Sequence, residues 1–252
     1  MKKLLQHSWA VDILAIVILI LFWQFCYVIA NEPIIFPSIT SVFYAAIEVL
    51  HTSNFWIAYM HTLLTLLFAW ILNCILVIIS VCLCMTSRVL RSIFERYCSY
   101  FMPLPSFVLL PFLLLFFGFS QLTVMIAMVL GAFWSMSYQS LSAFDGVNAQ
   151  WNKHAHNLGW NWWQCITKIY IPAVAPQLIA ISSMGWIYMW RVLITLEVAY
   201  GAIGGYFGMG SYLMSLKSTL DIDRMYVILF FVAFTGVVVN ALLERLSAKV
   251  QW

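Results

Sequence analysis

The chain has 252 residues, of which 12 are Lys or Arg and 9 are Asp or Glu, while 64% are apolar and 17% aromatic. Charged residues at 8% are about a third of the usual globular share, and a soluble domain could not hide that much apolar surface. Disorder is excluded by the same figures, and a net charge of +3 provides no basic stripe for a nucleic acid. What remains is an integral membrane protein.

A spanning helix needs about 20 mostly apolar residues, and the charges fence off the candidates. Ile13 to Ala30 is charge-free and forms the first expected span. It is longer than a signal-peptide core, and Asn31-Glu32-Pro33 follows it rather than a small-residue cleavage site, so it is read as retained. After Pro33 and Pro37 comes a short interfacial helix from about Ile39 to Leu50, capped by Ser38 or Thr40. Residues 55–85 give the second span. Tyr97 to Phe144 holds 48 residues without a formal charge, room for two spans at about 98–117 and 121–144, joined as a tight hairpin at Gly118-Phe119-Ser120-Gln121. The fifth, about 178–200, contains Arg191 and Glu197, and the sixth covers about 225–243. The fold expected is all-α: one polytopic domain over 1–252 with six transmembrane helices.

Orientation follows from the basic residues. With the N-terminus inside, Lys2, Lys3, Arg88, Arg91, Arg96, Lys153, Lys168, Arg245 and Lys249 fall on the cytoplasmic side, against Lys217 and Arg224 outside. Both termini are therefore expected in the cytoplasm. The inner loop 145–177 is the longest polar stretch. Asn148 to Leu158 can be helical, Gly159 ends that helix, and a second helical run reaches Pro172.

Several segments carry a resemblance. Asn157-Leu158-Gly159-Trp160, followed by Ile169-Tyr170-Ile171-Pro172, resembles the cytoplasmic "EAA" loop of permease subunits of bacterial ABC importers. Phe36-Pro37-Ser38, Pro103-Leu104-Pro105-Ser106 with Leu110-Pro111 and Phe117-Gly118, and Gly131-Ala132-Phe133 resemble the subfamily importing sulfonates, taurine, nitrate and related small anions. Trp190, Glu197, Gly208-Met209-Gly210 and Asp221 to Arg224 continue that pattern, so the similarity runs from about residue 35 to 246. The triplet itself departs, reading Lys153-His154-Ala155 where the family has Glu-Ala-Ala, and Thr65, Trp70 and Met85 replace an arginine and glycines of the second span.

The resemblance implies the type I ABC importer permease fold and a transport subunit rather than an enzyme, in the bacterial inner membrane. It implies a coupling helix (Asn148, Lys153, His154, Ala155, His156, Leu158, Gly159, with Pro172 re-anchoring the chain) that docks on an ATPase. Its implied partners are a second permease subunit, identical or different, two cytoplasmic ATPases and a periplasmic binding protein, with lipid around the spans. The chain lacks a G-x-x-x-x-G-K-[ST] phosphate loop, so no cofactor is expected in it and ATP belongs to the partner.

Within the spans, Arg191 is the residue expected to attract an anionic substrate, with Trp190 and Glu197 beside it in the pathway. Six residues apart, Arg191 and Glu197 fall on opposed faces; the alternative for Arg191 is a structural arginine paired to a carbonyl or snorkelling, and the favoured reading of Glu197 is a helix-end carboxylate ordering the glycine-rich stretch Gly201 to Gly210. His7, His51, His61, His154 and His156 are too scattered for a metal site, and six cysteines without a C-x-x-C pair read as packing residues. The rival classes are a secondary transporter, which needs intramembrane ion ligands beyond Arg191 and Glu197, and a membrane enzyme, whose only candidate cluster is Lys153, His154 and His156.

Overall fold

The computed structural model describes residues 8–30, 32, 35–146, 161, 164, 168, 170–201 and 208–250. No strand occurs among them. In chain order the helices are α1 (Ser8–Ala30), α2 (Ile39–His51), α3 (Ser53–Thr86), α4 (Arg88–Phe101), α5 (Ser106–Phe117), α6 (Gln121–Asp145), α7 (Ile171–Gly201), α8 (Met209–Ser218) and α9 (Ile222–Val250). α1, α3, α6, α7 and α9 are each long and apolar enough to cross a bilayer.

The expected span 98–117 is different from the structure. Phe101 ends α4, Ser106 begins α5, and the two helices are bent by 98°. The intervening Pro103 and Pro105 explain the break: each lacks the backbone N–H that a continuing helix would need. Pro105 itself is the extended N-cap of α5. At 12 residues α5 is about 18 Å long, short of a hydrocarbon core. A sixth crossing therefore exists only as the bent pair α4–α5.

Caps set the other boundaries. Ser38 caps α2, accepting from the Ser41 N–H at 3.0 Å. Gly118 ends α5 at φ 64°, where a side chain would be strained, and its N–H reaches the Leu114 carbonyl at 2.9 Å. Ser120 then caps α6 through the Thr123 N–H, closing the expected tight hairpin. Pro172 stands in the first turn of α7, where its missing N–H costs nothing, and Pro176 follows inside the helix.

The core is the trio α3, α6 and α7. Ala69, Ala127, Ala132 and Gly185 are buried among them, letting backbones approach as membrane packing requires. The thioether of Met136 occupies the space a Cβ would take at Gly185. A second cluster joins α2, α8, α9 and the start of α3 through Val49, Phe55, Met209 and Ile228, with Phe55 edge-on to Phe231 at 4.9 Å. α1 is peripheral, with none of its apolar window buried. It attaches through Trp23, which donates to the Pro37 carbonyl at 3.1 Å and meets Phe36, Tyr226 and Phe230 within 4.6–5.2 Å.

Candidate functional site: a polar stripe and a buried glutamate

Helical spacing puts Met184, Tyr188, Arg191 and Thr195 of α7 on one face at i, i+4, i+7 and i+11. All four are exposed, whereas Trp186, Met189, Trp190 and Leu193 between them are buried. A spanning helix thus turns an arginine, a phenol and a hydroxyl away from the subunit's own core. Ionisable groups at that depth usually face a water-filled path or another protein surface.

Two adjoining cavities open along this stripe. One of about 250 Å³ is lined by Gly131, Ser135, Gln139, Met184 and Tyr188. The other, about 270 Å³, is lined by Ser106, Tyr188, Arg191 and Thr195. Tyr188 belongs to both, held by a 2.7 Å hydrogen bond to the Ser106 hydroxyl. Gly131 makes that bond geometrically available, since a Cβ there would fall on the Ser106 hydroxyl and within 2.7 Å of the Tyr188 oxygen. Arg191 forms no ion pair with any described residue.

Glu197 is placed elsewhere. Its side chain is fully buried, and it caps the N-terminus of α8 from the neighbouring helix. The Gly210 N–H donates to Oε2 at 2.9 Å. Thr62 of α3 directs its hydroxyl at the carboxylate, 2.8 Å from Oε1 and 3.0 Å from Oε2. That same hydroxyl oxygen accepts the Met209 N–H at 2.9 Å, and Ser211 donates to the Glu197 backbone carbonyl at 3.0 Å. The first N–H groups of α8, which lack intrahelical partners, are thereby satisfied at the end that favours negative charge.

The glycines permit the approach. A Cβ at Gly210 would lie 2.6 Å from the Glu197 Cβ and 2.7 Å from the Ile194 carbonyl oxygen, and one at Gly208 would strike the Glu197 carboxylate. At Gly201 it would sit 2.7 Å from the Ser211 Cα. The three residues expected in one pathway are therefore divided: Arg191 is exposed on the stripe, while Trp190 at 6% exposure and Glu197 at 0% face the packed interior.

Other sequence features find definite partners. Thr65 accepts from Gln121 Nε2 at 2.7 Å, and Trp70 donates to the Ser182 carbonyl at 3.1 Å, so two of the three departures in α3 serve helix packing. Arg224 binds Glu48 at 2.8 Å and Asp221 at 3.3 Å, tying the start of α9 to α2. Asn148, Lys153, His154, Ala155, His156, Leu158 and Gly159 lie outside the described residues, as do Gly204 and Gly205. Among the described residues no group of three or more His, Cys, Asp or Glu could hold a metal ion.

Sequence reasoning missed Thr62, Ser135, Gln139 and Tyr188, and quoted Ser106 and Gly131 only within the motifs of the resemblance. Isolated polar residues within apolar helices were the available signal, since each needs a partner where there is no water.

This architecture matches known proteins. The family model of the "Binding-protein-dependent transport system inner membrane component" matches residues 77–252. The chain belongs to that family. It is a multi-pass protein of the inner membrane that shares the fold of ABC importer permeases. One relative is "Putative aliphatic sulfonates transport permease protein SsuC" of Bacillus subtilis, 23% identical over 145 residues, covering 58% of this chain and 51% of that one. Another is a "Putative ABC transporter permease protein" of Methanocaldococcus jannaschii, 21% identical over 162 residues, with 64% and 60% covered. The chain thus aligns with roughly half to three-fifths of these relatives' lengths. Solved inward-facing structures of the MetNI methionine ABC transporter share the fold: one has a TM-score of 0.59 at 15% identity over 77% of this chain and 94% of that one, another 0.58 at 12% over 80% and 100%.

Proposed function

We propose that the chain is the membrane-spanning permease subunit of an ATP-driven importer, moving a small anion delivered by a periplasmic binding protein. ATP is bound by separate ATPase subunits, which dock on the loop around Asn148–Gly159. A second permease, identical or different, faces the exposed stripe of α7, and both termini lie on the cytoplasmic side with that loop. The family and the fold support the transport role, and the sulfonate relative favours an anionic solute. The observation that carries the reading is Arg191, an exposed cation without an ion-pair partner among the described residues, lining a cavity with Ser106, Tyr188 and Thr195.

Physically, the stripe suits transient anion contact. A guanidinium offers directional donors that remain charged at any working pH, and hydroxyls can complete an anion's shell as water leaves. Binding must stay weak enough for release, which a single arginine flanked by neutral groups provides. The test is uptake into vesicles holding the permease, its ATPase and its binding protein. Arg191→Gln is expected to lower anion uptake at least tenfold while leaving assembly with the ATPase intact. Uptake at the wild-type rate by that variant would overturn the anion role, and failure of Gly159→Trp to disturb ATPase docking would overturn the coupling assignment.

A further inference from the structure

The helix α4 has a face that neither the fold nor the transport role uses. Its residues separate into two arcs. Phe94 and Cys98 turn inward, with Phe94 6.1 Å from Phe133, and Phe101 stacks on Trp134 at 4.8 Å. Arg91 fixes the helix to α6, pairing with Glu95 at 2.7 Å and with Asp145 at 2.5 Å. Away from these contacts, Val89, Ile93, Tyr97 and Tyr100 follow at i, i+4, i+8 and i+11, and all are exposed, from 46% to 69%. Arg88 and Arg96 are also exposed: Arg96 borders this strip, and Arg88, about 12 Å away by helical rise, lies about a quarter turn beyond it on the same side.

We infer that this strip of α4 binds anionic phospholipid, with Val89 and Ile93 against the acyl chains and Arg88 and Arg96 on the phosphate. The chemistry on each side of the strip is that of an interfacial helix: apolar residues on one arc, basic heads at its margin, and tyrosines whose rings and hydroxyls favour headgroup depth. Arg91 cannot serve, because two carboxylates already neutralise it. Glu95, the one acidic residue of α4, is committed to Arg91. The strip therefore offers positive charge without a counter-charge. A second copy placed face to face would oppose arginine to arginine, so charge complementarity selects an acidic lipid over self-association.

The experiment uses the full chain in nanodiscs of equal phosphatidylcholine and phosphatidylglycerol, with retained lipids counted by native mass spectrometry. Wild type is expected to be enriched in phosphatidylglycerol. Arg88→Gln with Arg96→Gln should lower that enrichment by roughly fivefold per arginine, whereas Arg88→Lys with Arg96→Lys should preserve most of it. Arg224→Gln, which removes a cation from another part of the molecule, should leave it unchanged. If the glutamine pair does not fold, salt decides on wild type: enrichment must fall from 50 to 500 mM. An unchanged ratio in the folded glutamine pair, an equal loss in Arg224→Gln, or indifference to salt would each overturn the proposal. Disappearance of the enrichment on adding the ATPase or a second permease chain would assign the strip to protein docking instead.

Discussion

Replacing Glu197 tests whether a single carboxylate joins three helices. Glu197→Ala removes the acceptor for the Gly210 N–H and for the Thr62 hydroxyl, and leaves a hole where the side chain is fully buried. Interhelical hydrogen bonds inside membrane proteins contribute about 0.6 kcal/mol on average and about 1.7 at most, so two account for roughly 1–3 kcal/mol. Truncating a buried side chain of this size adds about 2 kcal/mol, giving a total of about 3–5 kcal/mol. Glu197→Gln keeps the volume and one acceptor oxygen, and should cost only about 1 kcal/mol. Reversible unfolding in mixed micelles, followed by the loss of near-ultraviolet aromatic signal, measures both. Thr62→Val combined with Glu197→Gln should be non-additive, because the two residues share one network. If alanine and glutamine destabilised equally, or alanine by less than about 0.5 kcal/mol, the clamp would not exist.

The glycines make a sharper demand: Gly210→Ala should destabilise by at least about 2 kcal/mol, because its Cβ would meet the Ile194 carbonyl oxygen at 2.7 Å, and the same unfolding assay reads it. Gly131→Ala should displace the Ser106–Tyr188 pair, lower the melting temperature and be partly rescued by Ser106→Ala. Arg91→Gln should cost only about 1 kcal/mol or less, since both of its ion pairs are partly solvated, and high salt should shrink even that difference. Trp23→Ala should release α1 from Pro37, Tyr226 and Phe230 without unfolding it, measured as a lost disulfide cross-link between cysteines engineered into α1 and α9.

Much of the membrane plan was readable along the chain. Charge-free stretches marked α1, α3, α6 and α9 because no charged group is tolerated cheaply in hydrocarbon, and α7 was marked by apolarity despite Arg191 and Glu197. The Gly118–Gln121 hairpin and the Ser38 cap were equally local, each resting on one residue's backbone preference or one hydroxyl. The bend between α4 and α5 was not seen. Counting charges treats 97–144 as uniform, whereas Pro103 and Pro105 act on backbone direction, which apolarity does not report.

By itself the sequence determined the class of solvent, the approximate spans and the expectation that Arg191 is exceptional, since composition and charge position act residue by residue. Helical spacing already set Arg191 and Glu197 on opposed faces, and tertiary structure alone decided which of those faces is covered. The packing of α3 and α8 covers that of Glu197. Thr62 lies 135 positions from Glu197, and no local pattern marks a hydroxyl as the partner of so distant a carboxylate. The physical reason is that a membrane helix advertises its depth through hydropathy but not its azimuth, and azimuth decides between a buried clamp and an exposed cation.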